Sequence, residues 1–131
     1  MPWISLILTL FLWIGPKDYS MVIVNQIDPV ITAIELGSSS ELSKHFLPSI
    51  SLNINGQQGD FSKNQAELVL REFFKKNPPS GFSLIFKNEN PSSHSTYVGE
   101  YSSNNAVFKV FIKVSQIESN IRIYSLDFVK G

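Results

Sequence analysis

Between Phe61 and Pro79 the apolar residues recur at helical spacing, with Ala66, Val69, Leu70, Phe73 and Phe74 on one stripe. That pattern predicts an amphipathic helix with one buried face. Ser62 and Gln65 form an S-x-x-Q capping box, in which each side chain satisfies a backbone N–H of the first turn. At the other end Asn77 is expected in the left-handed cap conformation, and Pro78-Pro79 cannot continue a helix. Glu67–Arg71 and Glu72–Lys76 are i,i+4 pairs on the opposite face. Such pairs are worth only a few tenths of a kcal/mol each, so this face reads as solvated.

Upstream, Asp28-Pro29 reads as an N-cap followed by proline at the first helical position. Val30, Ile31, Ile34 and, at the end, Leu36 give this helix its apolar stripe, and Gly37 suits its C′ position. After Ser38-Ser39-Ser40, residues Glu41 to Phe46 predict a brief second helix with Leu42 and Phe46 on one face. Ile50, Leu52 and Ile54 then alternate with polar residues, as in a half-buried strand. Asn55-Gly56 turns the chain into a short return that ends at Phe61.

From Gly81 onward the period becomes two. Phe82, Leu84 and Phe86 share one strand face, as do Tyr97, Gly99 and Tyr101 on the next strand. Phe108, Val110, Ile112 and Val114 line a longer strand, with Lys109 and Lys113 on its other side, and Tyr124, Leu126 and Phe128 line the last. Short polar connections at Ser103-Asn104-Asn105 and Glu118-Ser119-Asn120 predict hairpins, and the longer loop runs from Asn88 to His94. The four strands should form an antiparallel meander. The order is two helices, a small hairpin, a long helix and four strands, an α+β arrangement with helices packed on one face of an antiparallel sheet.

The 131 residues suit one domain, placed at 26–131. Eleven basic residues balance eleven acidic ones, which argues against a nucleic-acid partner or a polybasic membrane patch. The absence of cysteine excludes disulfides, thiolate zinc sites and a thioether lipid anchor. Residues 1–20 stand apart: Trp3 to Ile14 is nearly all apolar and ends at Gly15-Pro16. Its length fits the hydrophobic region of a signal peptide, whereas a membrane span needs about 20 residues. No Lys or Arg precedes the run, no A-x-A site follows it, and cleavage near Ser20 is only weakly marked. The alternatives are an uncleaved anchor, a misassigned start, or a buried strand or helix. Export to the periplasm or medium is the expectation, with no stable membrane span after cleavage.

Particular residues also resemble a known family. Phe61-Ser62-Lys63-x-Gln65-Ala66-Glu67, Phe73-Phe74-x-Lys76-Asn77-Pro78-Pro79 and Phe82 resemble the central motif of the domain of unknown function 4783 family. Leu42-Ser43-Lys44-x-Phe46 and Gly37 fit the same family, and Tyr97-x-Gly99 and Val107-Phe108-Lys109-Val110-Phe111 match its sheet pattern more loosely. The resemblance covers Asp28 to Val129 and implies the nuclear-transport-factor-2-like (cystatin-like) cone, in which a curved sheet wraps helices and leaves a pocket. It also implies export, and it supplies no active site. Where members often carry a histidine and glycine, this chain has Phe86-Lys87-Asn88, and Leu126-Asp127-Phe128 replaces a basic residue of the last strand.

Cones of this superfamily include isomerases and dehydratases, whose chemistry needs an acid or base in an apolar pocket beside a hydrogen-bond donor. The titratable candidates are Asp127, Glu100, His45, Tyr97, Tyr101 and Tyr124. Asp127 and Glu100 are out of phase with the apolar strand faces, and His45 follows a short helix as a capping residue would. His94 lies in a polar loop. No second residue completes a catalytic set, so no catalytic residue is assigned. Two distant histidines make no metal site, and neither a cofactor motif nor a phosphate loop occurs. Tyr97, Tyr101 and Tyr124 are the candidate ligand-binding residues, lining a pocket mouth with polar handles.

The expected function is a non-catalytic module that binds a small hydrophobic molecule or an envelope protein. The alternative is a cone-fold enzyme using a pocket carboxylate or histidine. A homodimer through the sheet face that carries Phe111 between Lys109 and Lys113 is a third expectation.

Overall fold

The computed structural model describes residues 26–90, 92–104, 106–117 and 120–131, so the N-terminal apolar run lies outside the described residues. Three helices are followed and interrupted by six strands: α1 (Asp28–Leu36), α2 (Ser39–Ser43), β1 (Phe46–Ile54), β2 (Gln57–Ser62), α3 (Lys63–Lys76), β3 (Gly81–Asn88), β4 (His94–Ser103), β5 (Ala106–Ile117) and β6 (Asn120–Lys130). All six strands belong to one sheet in the order β2-β1-β6-β5-β4-β3. Strands β3 to β6 form the expected antiparallel meander. The small hairpin joins them through a parallel pairing of β1 with β6, so the sheet is mixed rather than wholly antiparallel.

Helix α3 carries the predicted capping box: Ser62 accepts from the Gln65 N–H at 3.2 Å, and the Gln65 side chain accepts from the Ser62 N–H at 3.4 Å. Its other end differs from expectation. Asn77 adopts φ −131° and ψ 72°, outside the left-handed region. Its side-chain amide donates to the Phe73 carbonyl at 3.2 Å, and its backbone N–H donates to the same oxygen at 2.8 Å. A side chain that caps the helix itself removes the need for a left-handed residue, and a following proline disfavours helical backbone at this position. On the exposed face Arg71 pairs with Glu67 at 3.2 Å, while Glu72 pairs with Lys75 at 3.9 Å rather than with Lys76.

In α1 the N-cap position falls on Ile27, not Asp28. Ile27 is αR, caps with no side chain and is buried, so its anchoring in the core sets where the helix enters. Asp28 sits in the first turn, where its charge meets the positive end of the helix. Leu36 is 72% exposed because it lies two residues beyond buried Ile34 and hence on the far side of the helix; Ala33 fills the stripe instead. Gly37 closes α1 at φ 65°, with Gly37 N–H on the Ile34 carbonyl and Ser38 N–H on the Ala33 carbonyl, a Schellman motif. A Cβ at Gly37 would lie 3.0 Å from Pro79 Cδ, so the glycine after α1 and the double proline after α3 pack against each other. Helix α2 begins and ends earlier than expected, because Ser38 caps it and Phe46 already belongs to β1.

Two β-bulges reset the strand faces. Between Leu84 and Phe86 the β3–β4 register slips by one residue, which places Phe86 opposite Val98 and leaves it 56% exposed. Between Lys113 and Val114 the β5–β6 register slips likewise, so Tyr124 falls between buried Ile123 and buried Leu126 without joining them. Phe86 and Tyr124 therefore leave the faces assigned to them by strict alternation. An extra residue bends its strand and strengthens the local twist, which gives the sheet its curvature. The concave side holds α3: the Phe73 ring lies 4.5 Å from that of Phe128, 5.2 Å from Phe108 and 5.8 Å from Tyr101.

Candidate ligand-binding groove

The spacing along α3 creates a second surface beside its buried stripe. Glu72, Phe73 and Lys76 lie three, four and seven residues after Val69 and so share one flank of the helix with it. That flank stands over the open end of the cone, facing the β1–β2 turn and the ends of β5 and β6. The groove between them has a volume of about 660 Å³. Ile54, Phe61 and Val69 supply its apolar surface, with Leu52, Phe73 and Phe108 buried behind them, and Asn55, Gln57, Gln58, Glu72, Lys76, Asn77 and Lys130 supply its polar one.

The turn is held in place by backbone geometry and by β6. Asn55 and Gly56 have φ of 51° and 95°, the paired positive values of a two-residue hairpin turn. Asn55 N–H donates to the Phe128 carbonyl at 2.7 Å, and Asn55 Oδ1 accepts from the Lys130 N–H at 3.3 Å. The wall of the groove is thus fixed to the strand that also brings Lys130 to its mouth. Glu72, the sole carboxylate among the lining residues, lies 3.9 Å from Lys75.

Tyr97 and Tyr101 face the concave core and their hydroxyls are already used. Tyr97 donates to the Glu89 carboxylate at 2.6 Å, and Tyr101 donates to the Asn77 carbonyl at 2.5 Å. Burial raises the pKa of both phenols, and for Tyr97 the bond to Glu89 adds to the effect. Tyr124, displaced by the bulge, meets the His94 ring edge-on at 5.1 Å. None of the three tyrosines lines the groove, and the structure does not bring them together.

The titratable candidates lie elsewhere too. Glu100 accepts from Lys109 Nζ at 2.7 Å across β4 and β5. Asp127 stands opposite Phe111 and Asn53 in the register, out of phase with buried Leu126 and Phe128. Its carboxyl is pushed up by loss of solvent, against the opposing charge of Lys113. His45 is half-buried, with its pKa lowered by burial and then by the charge of Arg122. No cluster of three or more potential metal ligands occurs among the described residues. The groove residues carry no sequence signature because they come from five separate elements, but the Val69, Glu72, Lys76 spacing on α3 was visible.

A curved mixed sheet wrapped around a long helix, open at one end, defines a nuclear-transport-factor-2-like cone. A crystal structure of an NTF-2-like protein of unknown function from Silicibacter pomeroyi shares this fold, with a TM-score of 0.61, 14% identity and coverage of 81% of this chain and 90% of that one. Within that class, the chain belongs to the family described as a domain of unknown function, DUF4783, whose pattern it matches over residues 27–129. A DUF4783 protein from Bacteroides ovatus is 28% identical, with a TM-score of 0.76 over 82% of this chain and 98% of that one. One from Bacteroides uniformis is 21% identical, with a TM-score of 0.77 and the same coverages. No match was found among the curated proteins.

Proposed function

We propose that this protein is an exported, non-catalytic binding domain whose site is the groove between the flank of α3 and the β1–β2 turn. The observation that carries this reading is the lining: an apolar floor edged by amides and amines, in a space of about 660 Å³. Sites for small molecules commonly measure about 300–1,000 Å³ and combine an apolar surface with a few polar groups. The groove's one carboxylate is solvent-exposed beside Lys75, with no histidine or second acid at hand for proton transfer. Export is supported by the apolar run from Trp3 to Ile14, and the N-terminal residue of protein recovered from its producing cells tests it.

The binding reading is tested by an NMR screen of small apolar compounds against isotopically labelled protein. Saturable shifts are expected at Leu52, Val69 and Phe108, and Val69→Trp, which fills the groove, should abolish them without lowering Tm. Hits confined to the outer sheet face would overturn it.

A specific row favours a second reading, self-association through the sheet. Phe86, Val98 and Phe111 stand side by side in register across β3, β4 and β5, with Phe86 mostly exposed. Rows of this kind on an outer sheet face suit a second copy of the chain. Sedimentation should then detect a dimer that Phe86→Lys dissociates; a monomer at every concentration would exclude it.

A further inference from the structure

The groove's charges are unbalanced in a way that the whole chain's are not. The chain carries eleven basic and eleven acidic residues. At the groove two lysines, Lys76 and Lys130, meet one carboxylate, Glu72, whose ion partner is Lys75. Neither Lys76 nor Lys130 has an ion pair among the described residues. Cations at the edge of an apolar concavity focus the local potential toward its interior and favour an anion there. Asn55 adds a donor: its Oδ1 is taken by the Lys130 N–H, which leaves its NH₂ free to face a ligand's acceptor. The floor of Ile54, Phe61 and Val69 demands an apolar body attached to that anion.

We infer that the groove takes an anionic amphiphile, an alkyl carboxylate, with its chain on the apolar floor and its carboxylate drawn to Lys76 and Lys130. This rests on the groove being the binding site and names the chemistry of its occupant. Charge complementarity selects the carboxylate over a neutral alkyl chain of equal length, and Glu72 opposes it, so neutralising Glu72 should strengthen binding.

Titration calorimetry with decanoate, below its micellar concentration, and with 1-decanol as the neutral counterpart tests this. Decanoate should bind about fivefold more tightly than decanol at low salt, a preference set by two exposed ion pairs. Lys76→Gln combined with Lys130→Gln should bring decanoate down to the affinity of decanol. Glu72→Gln should tighten decanoate, and salt at about 0.5 M should erase most of the preference. Equal binding of the two ligands, or a preference that survives the double substitution, would overturn the inference and leave the groove reading intact. Absence of both ligands from a groove that still takes other apolar compounds would also overturn it. A groove that takes nothing would instead remove the reading beneath it.

Discussion

The hydroxyl of Tyr101, near the end of β4, donates to the carbonyl of Asn77, the residue at which α3 stops. Beside it, Ser103 Oγ donates to the Pro78 carbonyl at 2.7 Å, and Ser80 N–H donates to the Ser102 carbonyl at 2.8 Å. The end of β4 thereby satisfies the backbone of the double-proline connection, which has no helix or ladder to pair with. Tyr101→Phe should lower stability by about 1–2 kcal/mol, since it keeps the ring and strands the carbonyl. Urea unfolding of the variant measures this, and an unchanged midpoint would deny the bond its role.

Tyr101 and Tyr97 make the fold sensitive to alkali. Both phenols have raised pKa values in the folded state, chiefly through burial. Their contribution is fully present below the unfolded phenol pKa of about 10 and is lost as pH rises from there toward the folded values. Stability should fall steeply above about pH 10. The combined Tyr97→Phe and Tyr101→Phe variant should show a flatter decline, measured as Tm against pH.

Gly99 lies beneath the Phe82 ring. A Cβ there would come within 2.5 Å of that ring and 3.0 Å of the Ser83 carbonyl oxygen, whereas one at Gly81 would meet nothing within 4 Å. Gly99→Ala should therefore cost about 1–3 kcal/mol, the range for overpacking a filled core. Gly81→Ala should be close to neutral. Equal effects from the two substitutions would show that the contact is relieved without strain.

Loss of solvent raises the pKa of Asp127, and Lys113 only partly offsets this. Such a group contributes stability below its unfolded pKa of about 4 and loses it as pH rises. Asp127→Asn should raise Tm at pH 7, and the gain should vanish at pH values below about 4. A lower Tm at pH 7 would mean that the carboxylate makes a favourable interaction with its neighbours.

Helix α3 is legible in the sequence because its cap, its stripe and its stop are all local. The same holds for Gly37 and the Asn55-Gly56 turn. The faces of Phe86 and Tyr124 are not legible, since a bulge is a property of two paired strands and leaves no mark in either alone. The groove was hidden for a related reason. Its apolar residues, such as Ile54 and Phe61, look like ordinary core positions, and only the placement of α3 leaves them partly uncovered. Tyr97 and Tyr101, chosen for their polar tips, turned out to spend those tips on Glu89 and Asn77.

The position of β6 has a consequence for how the chain reaches this state. It is the final strand of the sequence, yet it lies between β1 and β5, and Leu52 pairs in parallel with Leu126. The β1–β2 hairpin therefore has no strand pairing with the meander until β6 is available. Contacts that span so much sequence close slowly and late. A growing chain should stay without its complete native sheet until β6 has been made. Truncating β6 should leave two sheet fragments with no strand pairing between them.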